Sequence, residues 1–338
     1  MDMFTRVFLA SVLTLITTSD GGNDCGALKT AHVGIALSDA EASIVSPFTS
    51  LDKSIDSVVE ILKEGRCALA SALSSYKYII MYGQIEALNN IINAYFRTNF
   101  SEWCWVFMDG FWVIGMGFTL PLAKAARNLA QTRPTSSLLG PHTVASVMGI
   151  LLSNLLFTVV ALAILFGQDW FQCRQWENDD VSNLAIIGDN YESTTVFLVT
   201  GYQYISSAMA WNFGYEFRTG WLRNYSFVLL VVAFTALHFY VTLVPGTLSC
   251  IFRVNCDNEH VLYSFAKGRV LPIQNPFNTT VMPMSFRFTL VVIMVANTMF
   301  NVCWDYFAVN GLRRRWARQK RQKGGLLVGQ KEITSEAV

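Results

Sequence analysis

Ser19-Asp-Gly-Gly-Asn-Asp-Cys-Gly-Ala-Leu-Lys29 sets two carboxylates, an amide and a glycine pair in front of a segment that favours a helix. Gly21 and Gly22 let the backbone turn tightly and come close to an anion. Asn23 or Asp24 can cap the helix expected from Ala27-Leu28-Lys29-Thr30-Ala31. The N-terminus of such a helix attracts phosphate. Asp20 and Asp24 are then candidate Mg²⁺ ligands, hard oxygens whose octahedron a substrate phosphate would complete, with Asn23 beside the phosphate. An ordinary Asp-Gly turn before a capped helix has the same local pattern, so the stretch decides the reading only together with its flanks.

Upstream, Met1-Asp-Met-Phe-Thr-Arg6 followed by the apolar run Val7–Ile16 imitates a signal peptide but lacks a small-x-small cleavage site. It reads instead as the buried strand that enters the loop, combined with a mispredicted start. Downstream, the chain turns apolar. Over 338 residues it is 52% hydrophobic and 14% charged, with net charge +1 and mean hydropathy +0.36. That leaves too few charges to cover a soluble globule of this length. Thr135–Gln168 contains no Asp, Glu, Lys or Arg at all. A span needs about 20 apolar residues, and by that test six helices are expected, at roughly 68–96, 103–123, 143–167, 194–213, 224–247 and 285–309. The backbone in lipid must bond to itself, which excludes isolated strands. The first of these segments is the least apolar and the fourth carries Gln203, Ser206, Ser207 and Asn212, so both are expected to face other helices more than lipid.

Basic residues set the orientation. Lys124, Arg127 and Arg133 follow the second segment, Arg218 and Arg223 the fourth, and Arg313, Arg314, Arg315, Arg318, Lys320, Arg321 and Lys323 the sixth. Those ends are expected in the cytosol, and the acidic 168–193 loop on the opposite side. Both termini are therefore expected to be cytosolic, with the tail an ordinary stop-transfer flank.

Within the first segment, Tyr82, Glu86, Asn89, Asn90 and Asn93 recur at helical spacing and form a polar stripe about 16 Å long. Asp109 in the second segment lies at a depth comparable with Glu86. An ionisable group near mid-membrane costs on the order of 3 kcal/mol and is by default a functional candidate. Two carboxylates with nearby rings from Tyr82, Trp105, Phe111 and Trp112 suit a cation whose charges are spread along an apolar chain. The competing reading is a structural pair between Glu86 and a basic residue of helices outside this chain. For Trp103 and Trp105 an interfacial belt is the simpler assignment.

The run Asn-Asp-Cys-Gly-Ala-Leu-Lys29, then Ala-His-Val-Gly-Ile35, Glu-Ala-Ser43 and Ser-Pro-Phe-Thr-Ser50, resembles the end of the phosphorylation domain of P-type ATPases, in the form of the type-V branch that includes polyamine-transporting pumps. The resemblance implies a mainly α-helical multi-pass membrane protein: six transmembrane helices (66–312) behind a small α/β remnant of a HAD-like phosphorylation domain (1–65), with a basic cytosolic tail (313–338). It implies Mg²⁺ and ATP as cofactors of the complete pump, a cation or polyamine as cargo, membrane lipid as surroundings, an endosomal, lysosomal or vacuolar location, and no nucleic acid. Substrate contacts of the family would map onto Tyr82, Glu86 and Asp109. Glu86 departs from the family pattern, which has Gln there, and Ser19 stands where the pattern has Gly. The Asp-Lys-Thr-Gly-Thr phosphorylation segment, the Thr-Gly-Glu loop and the nucleotide domain of such pumps do not occur in the sequence. The chain is therefore expected to be a C-terminal fragment, an incomplete gene model or one half of a split pump, with a missing N-terminal half as partner and no ATP hydrolysis by itself. Glu64-Gly-Arg66 would link domain rotation to the first span. The alternative is a non-catalytic six-helix membrane protein that binds or regulates a partner pump.

Other residues read more plainly. His32 is expected to be packed, and His238 to hydrogen-bond between helices. Asn297, Asn301 and Asp305 form an i, i+4, i+8 stripe expected to glue helices together. The seven cysteines show no metal spacing. Cys250 with Cys256 is the simplest disulfide, leaving Cys173 unpaired. Asn99-Phe-Ser and Asn278-Thr-Thr are sequons on the non-cytosolic side, and Asn224-Tyr-Ser is expected to stay bare.

Overall fold

The computed structural model describes residues 16–19, 24–37, 45–52, 54–130, 132–173, 188–261, 263–264, 269–270, 272–273, 275 and 277–311. Asp20, Asn23, most of the acidic 168–193 loop and the basic tail lie outside these, as does most of the Val7–Ile16 run. The chain divides into two units, Met1–Arg66 with Ala125–Gln131, and Cys67–Lys124 with Thr132–Val338.

The first unit contains a small parallel sheet of β1 (Ile16–Ser19), β2 (Val33–Ala36) and β3 (Phe48–Thr49), in that order. Parallel neighbours need a crossover, and α1 (Cys25–Thr30) supplies it between β1 and β2. Leu28 of α1 and Ala36 of β2 are buried together. Gly34 is required where α1 crosses the sheet, because a Cβ there would stand 2.5 Å from the Leu28 carbonyl oxygen.

A single helix, α2, runs from Asp56 to Phe96 without interruption at Glu64-Gly65-Arg66. It ends where Arg97 takes a left-handed φ of 48° and Thr98 N–H bonds back to the Asn93 carbonyl. In the second unit its buried positions, Cys67, Ser71, Ser74, Tyr78, Met81, Ile85, Asn89 and Asn93, fall three or four apart and define one inward face.

The remaining helices are α3 (Glu102–Leu122), α4 (Pro141–Phe166), α5 (Tyr191–Trp211), α6 (Tyr225–Leu243), the short α7 (Thr247–Phe252) and α8 (Met284–Val309). Among the described residues four helices, α3, α4, α6 and α8, are long and apolar enough to cross a membrane, two fewer than expected. The two others, α2 and α5, are helical where spans were read but carry more polar residues; α2 buries one face, and α5 packs among helices. In α5 this is nearly complete: every residue except Met209 is buried. It lies against α4, α6, α8 and the middle of α3. Gly201 permits that approach, since a Cβ would meet Trp112 at 2.8 Å and His238 at 3.0 Å.

Asn154 of α4 is the polar hub of the bundle. It is fully buried, and its Oδ1 accepts from Asn297 Nδ2 at 3.2 Å and Asn301 Nδ2 at 2.9 Å. Its backbone carbonyl accepts from Gln203 Nε2 at 2.9 Å. The same asparagines of α8 reach Ser153 and Ser206, which ties α8 to both α4 and α5. His238 Nε2 meets the Leu198 carbonyl oxygen at 2.6 Å, joining α6 to α5.

Two helices change pitch around their carboxylates. Val106–Val113 of α3 and Trp304–Val309 of α8 are π-helical, and they contain Asp109 and Asp305. Such wide turns recur at functional sites. Cys250 and Cys256 form a disulfide, while Cys173 is a free, exposed thiol. Asp189 and Arg253 are joined by two hydrogen bonds, of 2.8 and 2.5 Å.

Candidate functional site

Helix α2 and the π-helical turn of α3 bring three sequence-predicted residues into one patch. Tyr82 and Glu86 lie one turn apart on α2. Tyr82 Oη donates to Asp109 Oδ1 at 3.1 Å. A fourth member comes from α5: Tyr204 Oη donates to Glu86 Oε1 at 2.5 Å, and its ring lies 6.1 Å from that of Tyr82. Each carboxylate thus receives one tyrosine hydroxyl and keeps its remaining lone pairs. Tyr82 and Glu86 are half-buried, Asp109 is exposed, and Tyr204 is fully buried.

Tyr204 gives no periodic signal in sequence, since it is one aromatic in a helix buried on all sides. Knowing that Glu86 needs a donor would have directed attention to an aromatic hydroxyl. The asparagine stripe divides. Asn90 is exposed and donates to the Glu86 carbonyl at 3.0 Å, whereas Asn93 is buried and accepts from Thr98 Oγ1 at 3.1 Å. Asn89 is fully buried without a hydrogen-bond partner for its amide among the described residues.

The aromatic expectations also divide. Phe111 is exposed, stacked on Phe107. Trp112 is 1% exposed and packs on Phe197 and His238, so it offers no ring to a cation at the patch. Its position one residue after Phe111 turns it inward. Trp103 is exposed, while Trp105 is half-buried on Phe100 and donates to Asn99 Oδ1 at 3.3 Å.

In the first unit, Asp24 occupies the N-cap position of α1, but its side chain makes no capping bond. Its carboxylate instead accepts from Ser19 Oγ, at the end of β1, at 2.6 Å. A carboxylate beside a hydroxyl at the end of a parallel strand is a donor set of the right chemistry for Mg²⁺, which commonly takes only one or two protein carboxylates. Among the described residues no three His, Cys, Asp or Glu side chains gather as a metal site. His32 is exposed rather than packed, because it lies in the bend between α1 and β2 instead of under the sheet.

These features define a polytopic helical membrane protein with an acidic, tyrosine-lined patch between helices. No family model matches the chain. It is 30% identical over 255 residues to the polyamine-transporting ATPase 13A3 of Homo sapiens, covering 70% of this chain and 21% of that protein. It is 34% identical over 232 residues to the polyamine-transporting ATPase 13A2 of Homo sapiens, covering 68% and 19%. It is 32% identical over 238 residues to the probable cation-transporting ATPase 13A4 of Gallus gallus, covering 63% and 20%. At family level the chain is a member of the type-V, polyamine- and cation-transporting branch of P-type ATPases. It spans about a fifth of the length of the curated relatives it matches.

Proposed function

We propose that this chain forms the membrane bundle and the last piece of the phosphorylation domain of an ATP-driven cation or polyamine pump, with Glu86, Asp109, Tyr82 and Tyr204 as its cargo site. The observation that carries this reading is the pairing of both carboxylates with tyrosine hydroxyls from neighbouring helices. The hydroxyls orient the carboxylates and leave oxygen lone pairs for ammonium N–H groups. The tyrosine rings add faces on which a desolvated cation is stabilised by about 0.5–2 kcal/mol per contact. Two carboxylates beside two tyrosine rings match a cargo with more than one ammonium group better than a compact metal ion, which would need six or more converging oxygens.

In this reading α2 and α5 cross the membrane with the four more apolar helices, and both termini lie in the cytosol. Six crossings fit the more polar composition of α2 and α5, because their polar faces pair within the bundle. Asp24, with Asp20, would hold Mg²⁺ in the complete pump. Magnesium would there neutralise the charge on phosphate oxygens. Glu64-Gly65-Arg66 would link domain rotation to the first span.

The test is the complete pump carrying Glu86→Ala or Asp109→Ala. Loss of polyamine transport with retained phosphorylation from ATP is expected. Unchanged polyamine dependence in both variants would remove the site assignment.

A further inference from the structure

The second π-helical turn holds another buried carboxylate, far along the sequence from the patch above. Asp305 is 2% exposed. It accepts hydrogen bonds from Ser146 Oγ and from Tyr215 Oη, the latter at 2.6 Å. Lys77 Nζ lies 3.6 Å from Asp305 Oδ1 and donates to Ser146 Oγ at 3.0 Å. It also stands 5.3 Å from the centre of the Trp211 ring. The indole Nε1 of Trp211 donates to the same Ser146 oxygen at 2.9 Å. Arg218 fixes this wall, since its Nη2 donates to Ser74 Oγ at 3.1 Å and to the Trp211 carbonyl at 2.9 Å.

A carboxylate, a hydroxyl acceptor and an aromatic face are what a primary ammonium requires: acceptors for its N–H groups and a π-face for its charge. They are a poor set for a hard metal ion, which needs more oxygens than one carboxylate and an already engaged hydroxyl provide. Beside the cluster lies a cavity of about 70 Å³ lined by Ala70, Leu73, Lys77, Thr143, Trp211 and Asp305, among others. This space admits water or the end of an alkylamine.

We propose that the Asp305–Ser146–Trp211 cage is a primary-ammonium site, filled at rest by the chain's own Lys77 and open to an incoming amine that displaces it. Lys77 lies five residues before Tyr82 on α2, so displacement would release α2 from α8 beside the first site. The identity of the displacing amine as an end of the cargo rests on the pump reading. The cage itself does not, and its test needs no transport.

The chain is purified in detergent and its melting followed in n-propylammonium chloride, against sodium and tetramethylammonium chloride at equal ionic strength. n-Propylammonium supplies the three carbons and the nitrogen that Lys77→Ala removes. Lys77→Ala is expected to melt below the native chain and to regain at least half of that loss, saturably, with n-propylammonium. Sodium and tetramethylammonium, the latter lacking N–H groups, should not restore it, nor should n-propylammonium restore Lys77→Ala combined with Asp305→Asn. The native chain should need at least tenfold more n-propylammonium for half-saturation, because Lys77 competes. A Lys77→Ala chain indifferent to n-propylammonium, or equally responsive to all three salts, overturns the cage. A native chain that shows no saturable response at any concentration overturns the exchange. If Lys77→Ala does not fold in plain detergent, solubilisation with n-propylammonium must yield folded protein where tetramethylammonium does not; failure of that rescue also overturns the proposal.

Discussion

Replacing Asn154 with Ala should loosen the bundle at its centre. The side chain is fully buried, and its Oδ1 is the acceptor for one N–H from each of Asn297 and Asn301. Each donor amide keeps a second partner, Ser153 Oγ for Asn297 and Ser206 Oγ for Asn301, so the substitution strands one N–H on each. A buried donor without a partner costs about 1–3 kcal/mol, which puts the upper estimate at about 6 kcal/mol for two. Interhelical hydrogen bonds in membrane proteins average about 0.6 kcal/mol in double-mutant cycles, so the lower estimate is about 1 kcal/mol. A loss near 3 kcal/mol is expected. Denaturant unfolding in micelles, followed by tryptophan fluorescence, measures it, and the cycle with Asn301→Ala isolates the shared bond. A total loss below about 0.5 kcal/mol, with no coupling between positions 154 and 301, would refute the hub.

Three further outcomes are expected. Asn224 is buried, caps α6 through Phe227 N–H and donates to the Thr119 carbonyl at 2.8 Å, whereas Asn278 is exposed. Asn278→Gln should therefore reduce the glycan shift on gels from glycosylating cells, and combined with Asn99→Gln abolish it, while Asn224→Gln should leave the shift intact and destabilise α6 by about 0.5–2 kcal/mol. Cys250→Ser should cost about 2 kcal/mol for a loop of this length in the chain-entropy account, measured as the difference in unfolding free energy from the native chain under oxidising conditions. Asp257 is partly buried, which alone would raise its carboxyl, but hydrogen bonds from His260 and that residue's charge outweigh burial and hold it below the usual carboxylate range. Its contribution is thus present above the ordinary aspartate value near about pH 4 and is lost as pH falls through the lowered one. The stability difference between the native chain and Asp257→Asn should shrink on that acid side.

Long-period signals in the sequence were the informative ones. The polar residues Gln203, Ser206 and Ser207 pointed to a helix surrounded by protein, and α5 is buried almost throughout. Asn297 and Asn301 read as helix glue because their four-residue spacing keeps both amides on one face, and both reach Asn154. Cys250 and Cys256 were legible from proximity alone. Side-chain direction was less accessible. Trp112 and Phe111 are neighbours in sequence but point oppositely, and the π-helical turn shifts the register of everything after it by part of a turn. Asp305 shared the stripe of Asn297 and Asn301, yet a second such turn places it with Lys77 and Tyr215. Tyr204 was hidden because a helix buried on every side has no periodicity to read.

The central claim is that the loop around Asp24 works in the cytosol on the same chain whose helices carry cargo. Cys25 reports on it directly, being a partly exposed free thiol next to Asp24, at the first residue of α1. In sealed organelles with their cytosolic face outward, and with Cys173→Ser and Cys303→Ser removing the other exposed thiols, a membrane-impermeant maleimide should label Cys25 without permeabilisation. Labelling that appears only after the membrane is opened would place the loop on the wrong side and contradict the account.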